Sequence, residues 1–177
     1  MKRTRADELL LGEWACLGIL AVKPAHGFAI AARLSPDGDV GRVWSLSRAL
    51  TYRALDQLSS RELIRAVGEE PGIAGGNRTI LAITRRGRNQ LRTWLALPVT
   101  HLRDLRSELL LKLVVSDLCG MDTRPLLIAQ RQVVRELADA LDPGTDRSRS
   151  TGDVVTVWRS ESARGALRFL DRMIAAD

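Results

Sequence analysis

A mainly α-helical chain with a small two-stranded β-wing is what this sequence predicts, and three observations predict it. Apolar residues recur with a helical period over most of the chain. The period changes from about 3.6 to about 2 only in two short runs, residues 63–67 and 78–83. Breakers rich in glycine and proline fall between the periodic segments.

Taken in order, residues 7–22 set Leu9, Leu10, Trp14, Leu17, Gly18 and Leu20 near i, i+3, i+4 spacing, an amphipathic helix closed by Lys23 and Pro24. His26 is placed to cap a short helix carrying Phe28, Ile30, Ala31 and Leu34 inward, which ends at the turn Ser35-Pro36-Asp37-Gly38. Ser47 is an N-cap for a helix over 48–60, because its hydroxyl can accept from an amide of the first turn. The two strands that follow are joined by residues 68–77, too rich in glycine for a tight two-residue hairpin, so a flexible loop is expected at the tip of the ribbon. Thr84 caps a helix over 85–97 with Leu91, Trp94 and Leu95 inward, and Pro98 ends it. Helix, helix, helix, ribbon, helix is the order of a winged helix-turn-helix, assigned here to residues 1–98.

Residues 99–177 are different in kind. They hold three long helical patterns, near 101–118, 123–141 and 152–175, with no strand signal; Leu102, Leu105, Leu109 and Leu113 mark the inward stripe of the first. A polar loop is expected over 142–150. Helices that each bury one stripe have little to pack on alone, so this region is read as a homodimerisation region. Packing back onto the N-terminal domain would serve the same need.

The net charge is +6, and its distribution is uneven. Residues 1–40 carry five Lys/Arg against five Asp/Glu, residues 41–98 ten against four, and residues 99–177 twelve against twelve. A cationic surface localised in this way attracts a polyanion, because each phosphate neutralised releases a condensed counterion; double-stranded DNA is the expected partner. The alternative is a set of solvated helix faces. No apolar run is long enough to cross a bilayer, and the basic start Met1-Lys2-Arg3-Thr4-Arg5 is followed by Asp7, Glu8 and Glu13 rather than an apolar signal segment, so a cytoplasmic protein without membrane partners is expected. Cys16 and Cys119 lie inside apolar helical patterns and read as buried small hydrophobes. His26 precedes a glycine at a helix start, and His101 heads a helix with Asp104 three residues on, so both read as local caps or pairs. No nucleophile and base set, phosphate-cradling loop or paired carboxylates emerge, so neither enzyme, metal nor cofactor is expected.

Several segments then match one family in order and spacing. Leu17-Gly18-Ile19-Leu20 is followed by Pro24-Ala25-His26-Gly27-Phe28-Ala29-Ile30, and Trp44 by Ser47 to Leu58 with Tyr52, Leu55 and Leu58. Gly75-Gly76-Asn77-Arg78-Thr79 leads to Thr84-Arg85-Arg86-Gly87-Arg88, and then come Pro98 to Asp104 and Glu108-Leu109-Leu110-Leu111-Lys112-Leu113. Over about 110 residues this resembles the PadR family of transcriptional regulators; beyond residue 120 the likeness is compositional. The resemblance implies a homodimeric repressor, its C-terminal helices at the dimer interface, often with a small-molecule effector. Two positions depart from the pattern: Glu62 stands where the family commonly has glycine, and Arg48 where proline is frequent.

A recognition helix enters the major groove N-terminus first, so its first turns must carry donors and acceptors. With Thr51, Ala54, Leu55 and Leu58 inward, Arg48, Tyr52, Arg53 and Asp56 face out. Arg48 and Arg53 are candidates for a guanine or a phosphate, and Ser47 for a cap or a phosphate. Tyr52 offers a hydroxyl to a phosphate, or packs half-buried; the family's matching tyrosine supports the first. Asn77 and Arg78 are candidates at the wing, where cations follow the backbone or minor groove. Arg85, Arg86 and Arg88 open a helix whose dipole disfavours them, so an external anion or a packing carboxylate is expected nearby. Trp14, Trp94 and Trp158 occupy positions read as inward. They line a pocket for a small hydrophobic or aromatic effector, or simply pack the core. The main rival function is a winged-helix module for protein or RNA contacts, without operator-specific DNA binding.

Overall fold

The computed structural model describes residues 9–72, 76–141 and 154–176. Helix α1 (Leu11–Val22) is the axis of the N-terminal half. It is apolar nearly all round, and Trp14, Ala15, Cys16, Leu17, Ile19 and Leu20 are all buried. Its first turn is closed by the buried Glu13, whose carboxylate accepts from the Leu10 N–H at 2.9 Å. Of the stretch predicted to start this helix, residues 7 and 8 lie outside the described residues, while Leu9 and Leu10 precede the helix instead of opening it, with Leu10 extended at the N-cap position. Strand β1 (Ala25–His26) and helix α2 (Gly27–Arg33) follow, with the His26 Nδ1 accepting from the Ala29 N–H at 3.0 Å as the cap.

Helix α3 spans Arg48–Ser60, the predicted bounds, and the Ser47 hydroxyl accepts from the Leu50 N–H. Thr51, Ala54, Leu55 and Leu58 are its buried face. Leu50, whose side the periodicity leaves open, is exposed. Strands β2 (Ile64–Pro71) and β3 (Asn77–Ile83) form the wing and run further than the sequence suggests, so that Glu69 and Glu70 pair with Thr79 and Arg78 instead of lying in a loop. The register slips between Ala66 and Gly68, a bulge that leaves Val67 turned to solvent. The sheet also has three strands, not two: β1 pairs with β3 through Ala25↔Leu81 and His26↔Ile80, in the order β1-β3-β2. A two-residue strand has no period to read, and only the long-range pairing defines it. Helix α4 (Arg85–Ala96) starts at the Thr84 cap, whose hydroxyl accepts from the Gly87 N–H.

The C-terminal half begins with a single 3₁₀ turn (Leu102–Asp104) and a π turn (Leu105–Leu109) that run into α5 (Leu110–Leu118), followed by α6 (Arg124–Ala140) and α7 (Val154–Ala176). The predicted stripe holds: Leu109 is buried, and Leu102, Leu105 and Leu113 pack on the second core with Leu126, Leu127, Val134 and Leu170. The loop predicted at 142–150 lies outside the described residues. Several contacts tie the halves together. Leu111 and Val115 of α5 join the first core, and Val115 sits so close to α1 that a Cβ on Gly18 would lie 2.6 Å from its Cγ1. The fully buried Gln130 of α6 accepts from the Val99 N–H at 2.8 Å and donates to the Val99 carbonyl at 2.9 Å, binding both polar groups of the connecting residue.

Glu62, between α3 and β2, has φ 58, in the left-handed region where a Cβ is disfavoured. Its side chain is exposed and lies 3.7 Å from Arg86. Glycine here relieves the strain, so Glu62→Gly is expected to stabilise the fold by about 1 kcal/mol, a rise of about 2–4 °C in Tm, although glycine also raises the entropy of the unfolded chain. An unchanged or lower Tm in a thermal melt would contradict this account of the turn.

Candidate nucleic-acid interface

The face that joins the start of α3 to the wing gathers most of the residues singled out from the sequence. Arg48, Tyr52 and Arg53 are exposed on α3, as expected from the burial of Thr51, Ala54, Leu55 and Leu58 on its other side. Tyr52 is both exposed and packed. Its ring lies across the start of α2, where a Cβ on Gly27 would stand 2.6 Å from its Cε1, so a larger residue there would push the ring aside. The hydroxyl end of the ring is thereby aimed by α2 rather than left to rotate.

Phe28 corrects an expectation. It is 45% exposed, whereas Ile30 and Leu34 are fully buried. Two residues are separated by about 200° around a helix, so Phe28 and Ile30 cannot both point inward. The outward ring is approached by two cations, with the Arg48 guanidinium carbon 5.1 Å and that of Arg78 5.4 Å from its centroid. Phe28 is therefore the member of this face that the sequence reading missed, and the two-residue offset from Ile30 was the available signal.

Below Arg78, His26 does more than cap. Because its Nδ1 accepts from Ala29, its Nε2 carries the proton of the neutral ring, and Nε2 stands 2.9 Å from Glu70 and 3.5 Å from the Arg78 guanidinium. The predicted wing residue Asn77 donates its amide to Glu69 at 2.8 Å, so a carboxylate already occupies one of its donors. The arginines that open α4 divide. Arg88 donates to the Ala21 carbonyl at 3.1 Å, satisfying the C-terminal end of α1, and Arg86 stands near Glu62, so two of the three find partners within the protein.

The tryptophans do not form one group. Trp14 and Trp94 stack with centroids 4.7 Å apart and planes 5° from parallel. They line a cleft of about 1220 Å³ with Leu97, His101, Glu108 and Lys112. Trp158 is instead 73% exposed on α7, away from that cleft's lining. The buried positions of α7 are Ser160, Ala163 and Leu170, and Trp158 lies two residues before the first of them, about 200° around the helix. His101 is exposed and makes no side-chain cap; its carbonyl, not its ring, accepts from the Asp104 N–H at 3.0 Å.

Part of the cleft's lining is a buried ionic cluster. Lys112 is 1% exposed. Its ammonium donates to Glu108 at 2.9 Å and to the Leu97 carbonyl at 2.6 Å, and stands 4.9 Å from the centre of the Trp94 ring. The Trp94 indole N–H donates to the same Glu108 oxygen at 3.1 Å. Burial pushes the Lys112 ammonium below its ordinary value, against the opposing pull of Glu108. Cys16 is buried, and desolvation followed by the Glu13 charge pushes its thiol up to about 12, which leaves it a packing group at neutral pH. Cys119 is only half-buried, a looser position than the sequence suggests.

The fold is a winged helix followed by a helical C-terminal region. No protein-family model and no curated protein matches the sequence. Solved structures similar to it include Bacillus subtilis PadR in complex with operator DNA, 17% identical with a TM-score of 0.47 over 93% of this chain and 97% of that one. Another is smu.1604c from Streptococcus mutans UA159, 17% identical with a TM-score of 0.46 over 94% and 99%. A third is the virulence activator AphA of Vibrio cholerae, 20% identical with a TM-score of 0.42 over 93% and 92%. Among the described residues no helix is long and apolar enough to cross a membrane.

Proposed function

We propose that this chain is a sequence-specific DNA-binding transcriptional regulator of the PadR type. It acts as a homodimeric repressor that sets two copies of α3 in successive major grooves of a pseudo-palindromic operator. The observation that carries the reading is the arrangement of Arg48 and Tyr52 on the exposed first turns of α3, beside Arg78 towards the tip end of the wing. A helix N-terminus with a cap hydroxyl, a guanidinium and an aimed phenol suits phosphates and base edges. The excess of ten cations over four anions in residues 41–98 supports the same partner.

Homodimerisation is supported by the first turns of α7, where Val154, Val157 and Trp158, at i, i+3 and i+4, are all exposed and form an apolar stripe that a partner protomer would cover. The cleft beside Trp14 and Trp94 is where a small aromatic effector would enter, next to the connection between the two halves.

The test is a fluorescence-anisotropy titration against DNA from the promoter nearest the coding region and against a scrambled duplex, at several salt concentrations, with sedimentation to count chains per duplex. Promoter binding tighter by about 10³-fold or more, with a steep salt slope and two chains per duplex, is the expected result. Equal weak binding to both duplexes with a shallow slope would move the protein-contact reading ahead.

A further inference from the structure

We propose that Phe28 is a positioning residue of the α3 and wing surface, its ring holding the guanidinium groups of Arg48 and Arg78 as one two-cation clamp for neighbouring phosphates of a nucleic-acid backbone. The inference rests on the DNA-binding reading and adds to it a residue on a different helix.

Three observations carry it. First, Phe28 is 45% exposed while Ile30 and Leu34 fill the core side of α2, so the packing of that helix does not need an aromatic here. Second, the two cations come from separate elements, the first residue of α3 and the second residue of β3, and stand 5.1 and 5.4 Å from one ring centroid, within cation–π range. Third, among the described residues no ion pair joins either arginine to a carboxylate. Glu70, opposite Arg78 in the strand register, is 2.9 Å from His26, whose protonated Nε2 offers Arg78 no acceptor.

Two like charges gathered on one ring, one of them at a helix N-terminus that disfavours cations, form a site that an anion relieves. An arginine is also a costly group to immobilise. The ring does part of that ordering before the ligand arrives, so less freedom is lost on binding. Phosphates along a duplex provide the paired anions such a clamp fits.

The experiment has two arms on the full chain. In ¹H–¹⁵N spectra recorded without DNA, the Arg48 and Arg78 Hε resonances are expected to be shifted by the aromatic ring, to move to ordinary values in Phe28→Leu, and to stay shifted in Phe28→Tyr. In anisotropy titrations with a duplex selected by the wild type from a random library, Phe28→Leu is expected to bind about tenfold more weakly with an unchanged salt slope, since no charge is removed, and Phe28→Tyr to bind like the wild type. Unshifted arginine resonances in the wild type, or undiminished affinity in Phe28→Leu, would overturn the clamp. Should the wild type select no duplex, the DNA-binding reading falls and with it the ligand assigned to the clamp, while the spectra still decide whether the ring holds both cations.

Discussion

Arg48→Ala with Tyr52→Ala is expected to weaken binding to the operator by about 10²- to 10³-fold, since each contact of this kind contributes about 1–3 kcal/mol. The two losses differ in character. Removing Arg48 deletes a cation on the first turn of α3, so the dependence of log K on log salt should fall by about one phosphate contact. Removing Tyr52 deletes a hydroxyl and also the ring seated against Gly27. Tyr52→Phe separates these effects, because it keeps the packing and removes only the hydroxyl; a binding loss in Tyr52→Phe without a change in Tm assigns the hydroxyl to the DNA. Arg48 is exposed and its alanine variant should melt close to the wild type. Full operator affinity in the double variant would reject the assignment of this face.

How much of this was legible in the sequence depends on whether the cause is local. The Ser47, Thr84 and His26 caps were readable because a cap is decided within four residues of chain, and each forms the bond expected of it. The buried face of α3 was readable because four apolar or small residues keep one period. Phe28 and Trp158 read as inward by hydrophobicity alone, although each sits two residues from a buried position of its own helix and so out of phase with it. The third strand was not readable, since Ala25 and His26 become a strand only by meeting Leu81 and Ile80. Glu62 stands where the resemblance leads one to expect glycine, and its φ of 58 shows that the turn keeps the left-handed geometry despite the Cβ. The Gln130 grip on Val99 and the burial of Lys112 depend on helices meeting across 31 and 15 residues, which no local pattern encodes.

That buried lysine gives the second large effect. Glu108→Ala is expected to destabilise the protein by about 3–5 kcal/mol, because it removes the only carboxylate paired with the ammonium of Lys112 among the described residues and leaves a charge with 1% exposure. It also frees the Trp94 indole N–H. Lys112→Met should cost less, about 1–3 kcal/mol, since the fully buried charge is gone and what stays behind is the Leu97 carbonyl without its donor and a Glu108 carboxylate that is partly exposed and still accepts from Trp94. The ordering of the two variants is thus the test, read by denaturant unfolding at neutral pH; equal or reversed losses would mean that the pair is not desolvated as the geometry requires. The pH dependence gives an independent check. Lys112 is held below its ordinary value by burial, so between the folded and unfolded values the unfolded chain binds more protons, and stability from this group rises with pH. Over the pH range leading up to the ordinary lysine value, the wild type should therefore gain stability relative to Lys112→Met. A difference between the two that stays constant over that range would show that the ammonium inside the protein titrates as it does in water.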